Sequence, residues 1–234
     1  MKRIRLTKVD LISIGFCLTA ILPGLIVYNR LPEEIPTHFG LDGNPNGYSS
    51  RLFAVVGLPL IVALVQTVYC ITTNLFRKEK GMSRAEKVIR FLFPVVLYAM
   101  QIFMLMYAMG KATDMMTFLG AIETVMFLVL GNYLPKVRRT TFFGIRTLHT
   151  LANEEVWDKT HRFAGVLHVI AGIICMIMTV TGMNGVFLLV LLALTIGIPF
   201  IYSEILYRRA KAVTDSRNNT FGGEESKEDV AGDS

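Results

Sequence analysis

Apolar positions gather into six long runs, and polar positions into the links between them. The runs cover residues 11–28, 52–76, 91–109, 115–134, 163–183 and 186–207. Each is long enough to cross the hydrocarbon of a bilayer as a helix, which takes roughly 20 residues. Inside three runs the small and polar residues recur at steps of three and four. They are Ser13, Cys17, Ala20 and Gly24; Pro59, Ala63, Gln66, Cys70 and Thr73; and Asp158, His161, Gly165, His168, Gly172, Cys175, Thr179 and Gly182. Lipid gives little hydrophobic drive between helices, so such stripes mark the seams where helices meet.

The links carry their own signals. Residues 31–48 hold Pro32, Pro36 and Pro45 with Gly40, Gly43 and Gly47, a density of breakers that no spanning element tolerates, and predict a turn-rich cap. Ser83-Arg-Ala-Glu86 fits a capping box that starts the third helix early. Asn153 with Glu154 and Glu155 reads as an N-cap and acidic first turn, and only Asn184-Gly185 joins the last two runs. Beyond the sixth run the chain turns polar and acidic, too poor in apolar area to offset ordering. The expected fold is an all-α integral membrane protein: a six-helix transmembrane bundle over residues 1–213 with a disordered tail over 214–234.

Composition agrees, with 53% apolar residues and a mean hydropathy of +0.50. The formal charge of +6 could point to nucleic acid, but its distribution decides otherwise. Lys and Arg number four in the head, six in 77–90, six in 135–162 and five from Arg208 onward, against Arg30, Arg51 and Lys111 in the alternate links. That asymmetry is a positive-inside signal: both termini cytoplasmic, the Pro/Gly link outside, no nucleic-acid partner. No small-x-small cleavage site follows the first run, so an uncleaved anchor is expected. Cys17, Cys70 and Cys175 lie inside apolar runs with no metal or disulfide spacing and read as packing residues.

Among the polar residues in or at the edges of the runs, Glu123, Asn132, His168 and Glu204 need a reason. A charge such as Glu123 near mid-span costs roughly 2.5–3.5 kcal/mol, so it must face protein or water, or be protonated. Glu123, His168 and Glu204 together would suit a proton-coupled transporter. No H-E-x-x-H, no G-x-S-x-G and no cysteine with a nearby base is present, so neither enzyme chemistry nor a metal or other cofactor is expected.

Two stretches remain. The first is P-x-x-I-P-x-H-aromatic-x-x-x-G-x-P-x-G-Y, carried by Pro32, Ile35, Pro36, His38, Phe39, Gly43, Pro45, Gly47 and Tyr48. The second runs from Gly131-Asn132 and Lys136 through Gly144-Ile-Arg-Thr147 to Trp157, Thr160, His161, Arg162 and Gly165. Trp157, the sole tryptophan, would sit at headgroup level, and Phe142 and Phe143 beside Arg138 and Arg139 suit an interfacial segment. Together the two stretches resemble the Sdp immunity-protein family of polytopic bacterial membrane proteins. Phe39, Thr140 and Leu148 depart from the usual Trp, Asn and Pro. The resemblance implies a cell-membrane protein that protects its host from a secreted peptide toxin and can hold a transcriptional repressor at the membrane. Pro36, His38, Asp42, Gly43, Gly47 and Tyr48 would then form the outer recognition loop. Arg138, Arg139, Arg146, Trp157, His161 and Arg162 would face the cytoplasmic partner.

Overall fold

The computed structural model describes residues 6–76, 81–112, 114–139, 143–182 and 185–231, with side chains described as far as Val213. Phe142, Thr140, Asn184 and the basic residues of 1–5 and 77–80 lie outside the described residues. Six helices among them are long and apolar enough to cross a membrane, over Lys8–Arg30, Phe53–Leu75, Arg84–Ala108, Met115–Lys136, Glu154–Thr181 and Gly185–Val213.

The first span is α1 (Lys8–Thr19) followed by α2 (Ile21–Val27) and a 3-10 turn over Tyr28–Arg30. The break after Thr19 has a local cause: Pro23 has no N–H to give the Thr19 carbonyl four residues back. The link that follows corrects the all-α expectation. It folds into an antiparallel hairpin of β1 (Glu34–Phe39) and β2 (Pro45–Ser50), with an irregular register around His38. Both strands are edges, and an edge strand can place a proline where no ladder N–H is needed. Its base is rooted in the bundle: Leu31 and Ile35 pack with Val55, Met104 and Leu105.

The second span is a π turn over Phe53–Gly57 continuing as α3 (Leu58–Leu75). The third is α4 (Arg84–Ala108), started by the Ser83–Glu86 capping box that the sequence predicts. The fourth is α5 (Met115–Tyr133), which ends in a 3-10 turn over Leu134–Lys136. A short α6 (Leu148–Ala152) precedes α7 (Glu154–Thr181), whose Asn153 cap accepts from the Glu155 and Val156 amides at 2.9 and 3.2 Å. The last helix, α8 (Gly185–Ala231), runs on past its apolar part, and the expected disorder of 214–234 concerns a stretch whose side chains are not described.

The predicted stripes are the seams except at the ends of the one in the fifth span, where Asp158 and Gly182 are exposed. The buried residues of α3 are Pro59, Ala63, Gln66, Cys70 and Thr73. On α7 they include His161, Gly165, His168, Gly172 and Cys175. The spans group as α1, α3 and α4 in one half and α5, α7 and α8 in the other. In the second half α5 and α7 approach so closely that a Cβ on Gly165 would lie 2.8 Å from the Gly131 carbonyl oxygen. The hairpin tip bridges the halves. The Gly185 amide donates to the Leu41 carbonyl at 3.2 Å, and Gly43 rests on Met116.

α3 and α4 exchange a pair of repairs. Pro94 deprives the Arg90 carbonyl of its helical donor, and Gln66 Nε2 from α3 donates to it at 3.2 Å. In the π turn the Leu58 amide reaches back five residues to Phe53, so the Ala54 carbonyl would next need an N–H from Pro59. Gln101 Nε2 from α4 supplies it at 3.0 Å. Each glutamine heals a carbonyl freed by a proline in the other helix. Gln101→Leu is expected to cost about 1–3 kcal/mol by leaving that carbonyl unpaired in lipid. In a Pro59→Ala background, which restores a backbone donor, the same change is expected to cost well under half as much. Unfolding in mixed micelles of dodecylmaltoside and SDS measures both; equal costs in the two backgrounds would refute the repair.

Candidate functional site

The two stretches singled out by sequence occupy opposite ends of the bundle. At the hairpin end, Pro36 is buried against the helices while His38, Asp42 and Tyr48 are exposed. His38 Nδ1 donates to Asn46 Oδ1, and its Cβ fills the space where a Cβ on Gly47 would stand 2.9 Å away. Gly47 is therefore small because His38 lies across from it. The tip is a turn built by Asp42, whose carboxylate accepts from the Asn44 amide at 3.1 Å and the Asn44 side chain at 2.8 Å. Gly43 completes it at φ 81°, a left-handed conformation that suits glycine. The hydrogen bonds from Asn44 hold the Asp42 carboxyl below the ordinary carboxylate range.

That shift gives the tip a pH dependence of definite sign. A group whose folded pKa is depressed stabilises the fold above its unfolded pKa, and the contribution is lost as pH falls through the folded pKa. The Asn44 amide resonance is therefore expected to hold its position at neutral pH and move below the usual carboxylate range. In Asp42→Asn that movement should vanish; a titration that persists in the variant would assign it elsewhere.

At the other end a latch pins the link before α6 onto α7. Trp157 Nε1 donates to the Val137 carbonyl at 3.0 Å, and the Trp157 ring stacks on His161 with centroids 4.0 Å apart. His161 Nδ1 donates to the Trp157 carbonyl at 2.8 Å, so Nε2 keeps its lone pair and accepts the Ile145 amide at 3.0 Å. Thr150 Oγ1 returns a bond to the Ile145 carbonyl at 2.8 Å, and Ser203 of α8 donates to Thr147 Oγ1 at 3.1 Å. Gly144 has φ 107°, and a Cβ there would collide with His161 Nε2 and lie 2.9 Å from the indole. The motif Gly-Ile-Arg-Thr followed by Trp and His is thus one interlocking device.

This arrangement sorts the proposed partner face. Trp157 and His161 are each 1% exposed and use their polar atoms inward. Arg138, Arg139, Arg146 and Arg162 are exposed at the same end. Phe143 is half-buried and packs with the Val137 and Trp157 cluster.

The polar residues of the transporter reading do not converge. Glu204 is engaged by His149 and by Arg208. His168 donates from Nδ1 to the Ala164 carbonyl at 2.7 Å and meets the Phe127 ring edge-on. Glu123 is half-buried, its Oε1 without a hydrogen-bond partner among the described residues. Asn132 is exposed and accepts from Lys136 at 2.8 Å.

Sequence reasoning missed a cluster at the basic end of α1, α3 and α4. Asp10 and Arg90 form an ion pair at 0% and 2% exposure. Around it Thr73 Oγ1 accepts from Arg90 at 2.5 Å, Asn74 Nδ2 donates to Asp10 at 2.6 Å, and the Thr7 amide donates to Asp10 at 2.7 Å. The available signal was Thr7-x-x-Asp10, a capping box with the lone acid of a basic head.

The chain matches two protein families: the SdpI/YfhL protein family over residues 136–203 and a domain of unknown function, DUF1648, over residues 15–63. The first match covers the latch, α7 and the first part of α8; the second covers most of the first span, the hairpin and the start of α3. The chain is 25% identical over 215 residues to the Immunity protein SdpI of Bacillus subtilis (strain 168), covering 90% of this chain and all of that protein. It is 37% identical over 51 residues to an uncharacterized protein of Archaeoglobus fulgidus, 22% of this chain and 27% of that one. No solved structure matches significantly. These relationships support an immunity-type membrane function. With six helices among its described residues long and apolar enough to cross a bilayer and this similarity to a bacterial immunity protein, the chain is a multi-pass protein of the bacterial cell membrane, similar to the SdpI/YfhL family over residues 136–203.

Proposed function

We propose that the protein protects its host from a secreted peptide toxin that it meets on the outer surface of the membrane. The observation that carries the reading is the hairpin. It holds His38, Asp42 and Tyr48 in the open on a frame rooted in the bundle core, and recognition residues belong on exposed loops held by rigid scaffolds. The Lys and Arg asymmetry puts that hairpin outside and both termini in the cytoplasm. The exposed Arg138, Arg139, Arg146 and Arg162 then offer a basic surface to an acidic partner inside, and the family resemblance makes a transcriptional repressor the candidate. The similarity to an immunity protein along its whole length supports the same assignment.

The test is protection of a sensitive host challenged with secreted peptide toxins. The parent chain is expected to raise survival by at least tenfold. His38→Ala with Tyr48→Ala should remove that gain while membrane levels stay unchanged. Full protection by the double variant would falsify the recognition role of the hairpin. A cysteine at Asn44 that only a cytosolic reagent labels would reverse the assigned orientation.

A further inference from the structure

Beneath the hairpin, the first half of the bundle, with Met115 of α5, surrounds a half-open cavity of about 220 Å³. Its roof is β1, through Pro36, Thr37 and Phe39, and its lower wall reaches Cys17 and Pro94 near the middle of the first and third spans. Along α4 the lining runs from Met104 to Pro94, which at the helical rise is a depth of about 15 Å. Both bend-forming prolines, Pro59 and Pro94, line it, so the bends that Gln66 and Gln101 repair also shape the space.

The chemistry of the wall selects the occupant. Cys17 Sγ donates to the Ser13 carbonyl, Thr37 Oγ1 pairs with Ser49 Oγ, and Gln101 Nε2 is held by the Ala54 carbonyl. Little side-chain polar capacity is left beyond the Tyr98 hydroxyl and Gln101 Oε1; the rest is Ala, Val, Leu, Met, Phe and Pro. A peptide threaded to that depth would bring roughly five residues at about 3.3 Å each, every one with an N–H and a C=O to satisfy. The wall cannot meet them, and unpaired backbone in an apolar site is costly. A single apolar side chain is too short to reach the floor. A hydrocarbon chain needs no partners at all.

We infer that the hairpin-capped cavity binds one acyl chain of a bilayer lipid, lodged between α1, α3 and α4 with its far end at Pro94. The site rests on the membrane setting and on this geometry alone; it holds whichever compartment the hairpin faces and whatever the protein protects against. Because β1 is the roof, an occupied cavity supports the strand that carries His38 from below.

The test uses the full chain in nanodiscs of phosphatidylcholine bearing a terminal diazirine on one acyl chain. After irradiation, lipid adducts are mapped by mass spectrometry of fragments. The fragment holding Pro94 and Leu97 is expected to carry at least fivefold more adduct than the α8 fragment holding the exposed Leu194 and Ile196, although its wall is the more buried. Val62→Trp, which fills the cavity, should cut the α4 adduct by about tenfold and leave the α8 adduct unchanged, an internal check on folding. Leu97→Ala, which widens the cavity, should raise it. Equal labelling of the two faces, or an α4 adduct indifferent to Val62→Trp, would overturn the site. Displacement of the α4 adduct by an apolar peptide such as acetyl-pentaleucine amide would overturn the lipid in favour of a peptide occupant.

Discussion

Arg90→Met is expected to destabilise the protein by about 3–5 kcal/mol, the largest loss from any single change in the first half of the bundle. The reason is what it leaves behind. Asp10 is fully buried and its carboxylate is met by the Arg90 guanidinium, the Asn74 amide and Thr7. Deleting one partner of a buried pair strands the other charge, whereas deleting both removes the problem together with the attraction. The double variant Asp10→Leu with Arg90→Met is therefore expected to recover most of the loss, though not all. Thr73 and Asn74 would still have to find new partners, and the contact of the Arg90 guanidinium over the Tyr69 ring would be lost. Reversible unfolding in mixed micelles, followed by far-ultraviolet circular dichroism, reads the three free energies. A double variant no better than the single would show that the hydrogen-bonded frame, not the stranded charge, sets the cost.

The same cluster shows where sequence reasoning stops. Arg90 counts toward the positive links of the topology signal, and that count is blind to whether a given side chain points to water or into the seam. The spacing of Pro59, Ala63, Gln66, Cys70 and Thr73 was legible because a stripe of small residues has one physical use in lipid. The pairing of Gln66 with the Arg90 carbonyl was not, because it joins residues on two helices whose relative height no single run encodes. The hairpin was hidden for a related reason. Its prolines and glycines announce the end of a helix, but the strands depend on Ile35 docking into a core made by Val55 and Met104. His161 was legible as a special residue and misplaced as a surface one. Its spacing puts it on the small-residue stripe, and only the three-dimensional return of Ile145 shows that both ring nitrogens are already committed.

Gly144→Ala should separate the latch from the binding surface beside it. Gly144 sits at φ 107°, where a side chain costs about 1–2 kcal/mol, and the new methyl would press on His161 and the Trp157 ring. Overpacking of that kind adds about 1–3 kcal/mol, so the expected loss is about 2–5 kcal/mol. The latch can answer only by moving the indole, because the Ile145 amide and the Val137 carbonyl hold the loop on both sides. Trp157 is the only tryptophan in the chain, which makes its emission a direct reading of that movement. It is expected to shift to the red and become accessible to acrylamide in Gly144→Ala. Arg162→Ala, exposed on α7 one residue past His161, should leave emission and stability unchanged. If Arg162→Ala instead weakens the latch as much as Gly144→Ala does, the arginine belongs to the fold. The basic surface offered to a cytoplasmic partner then shrinks to Arg138, Arg139 and Arg146.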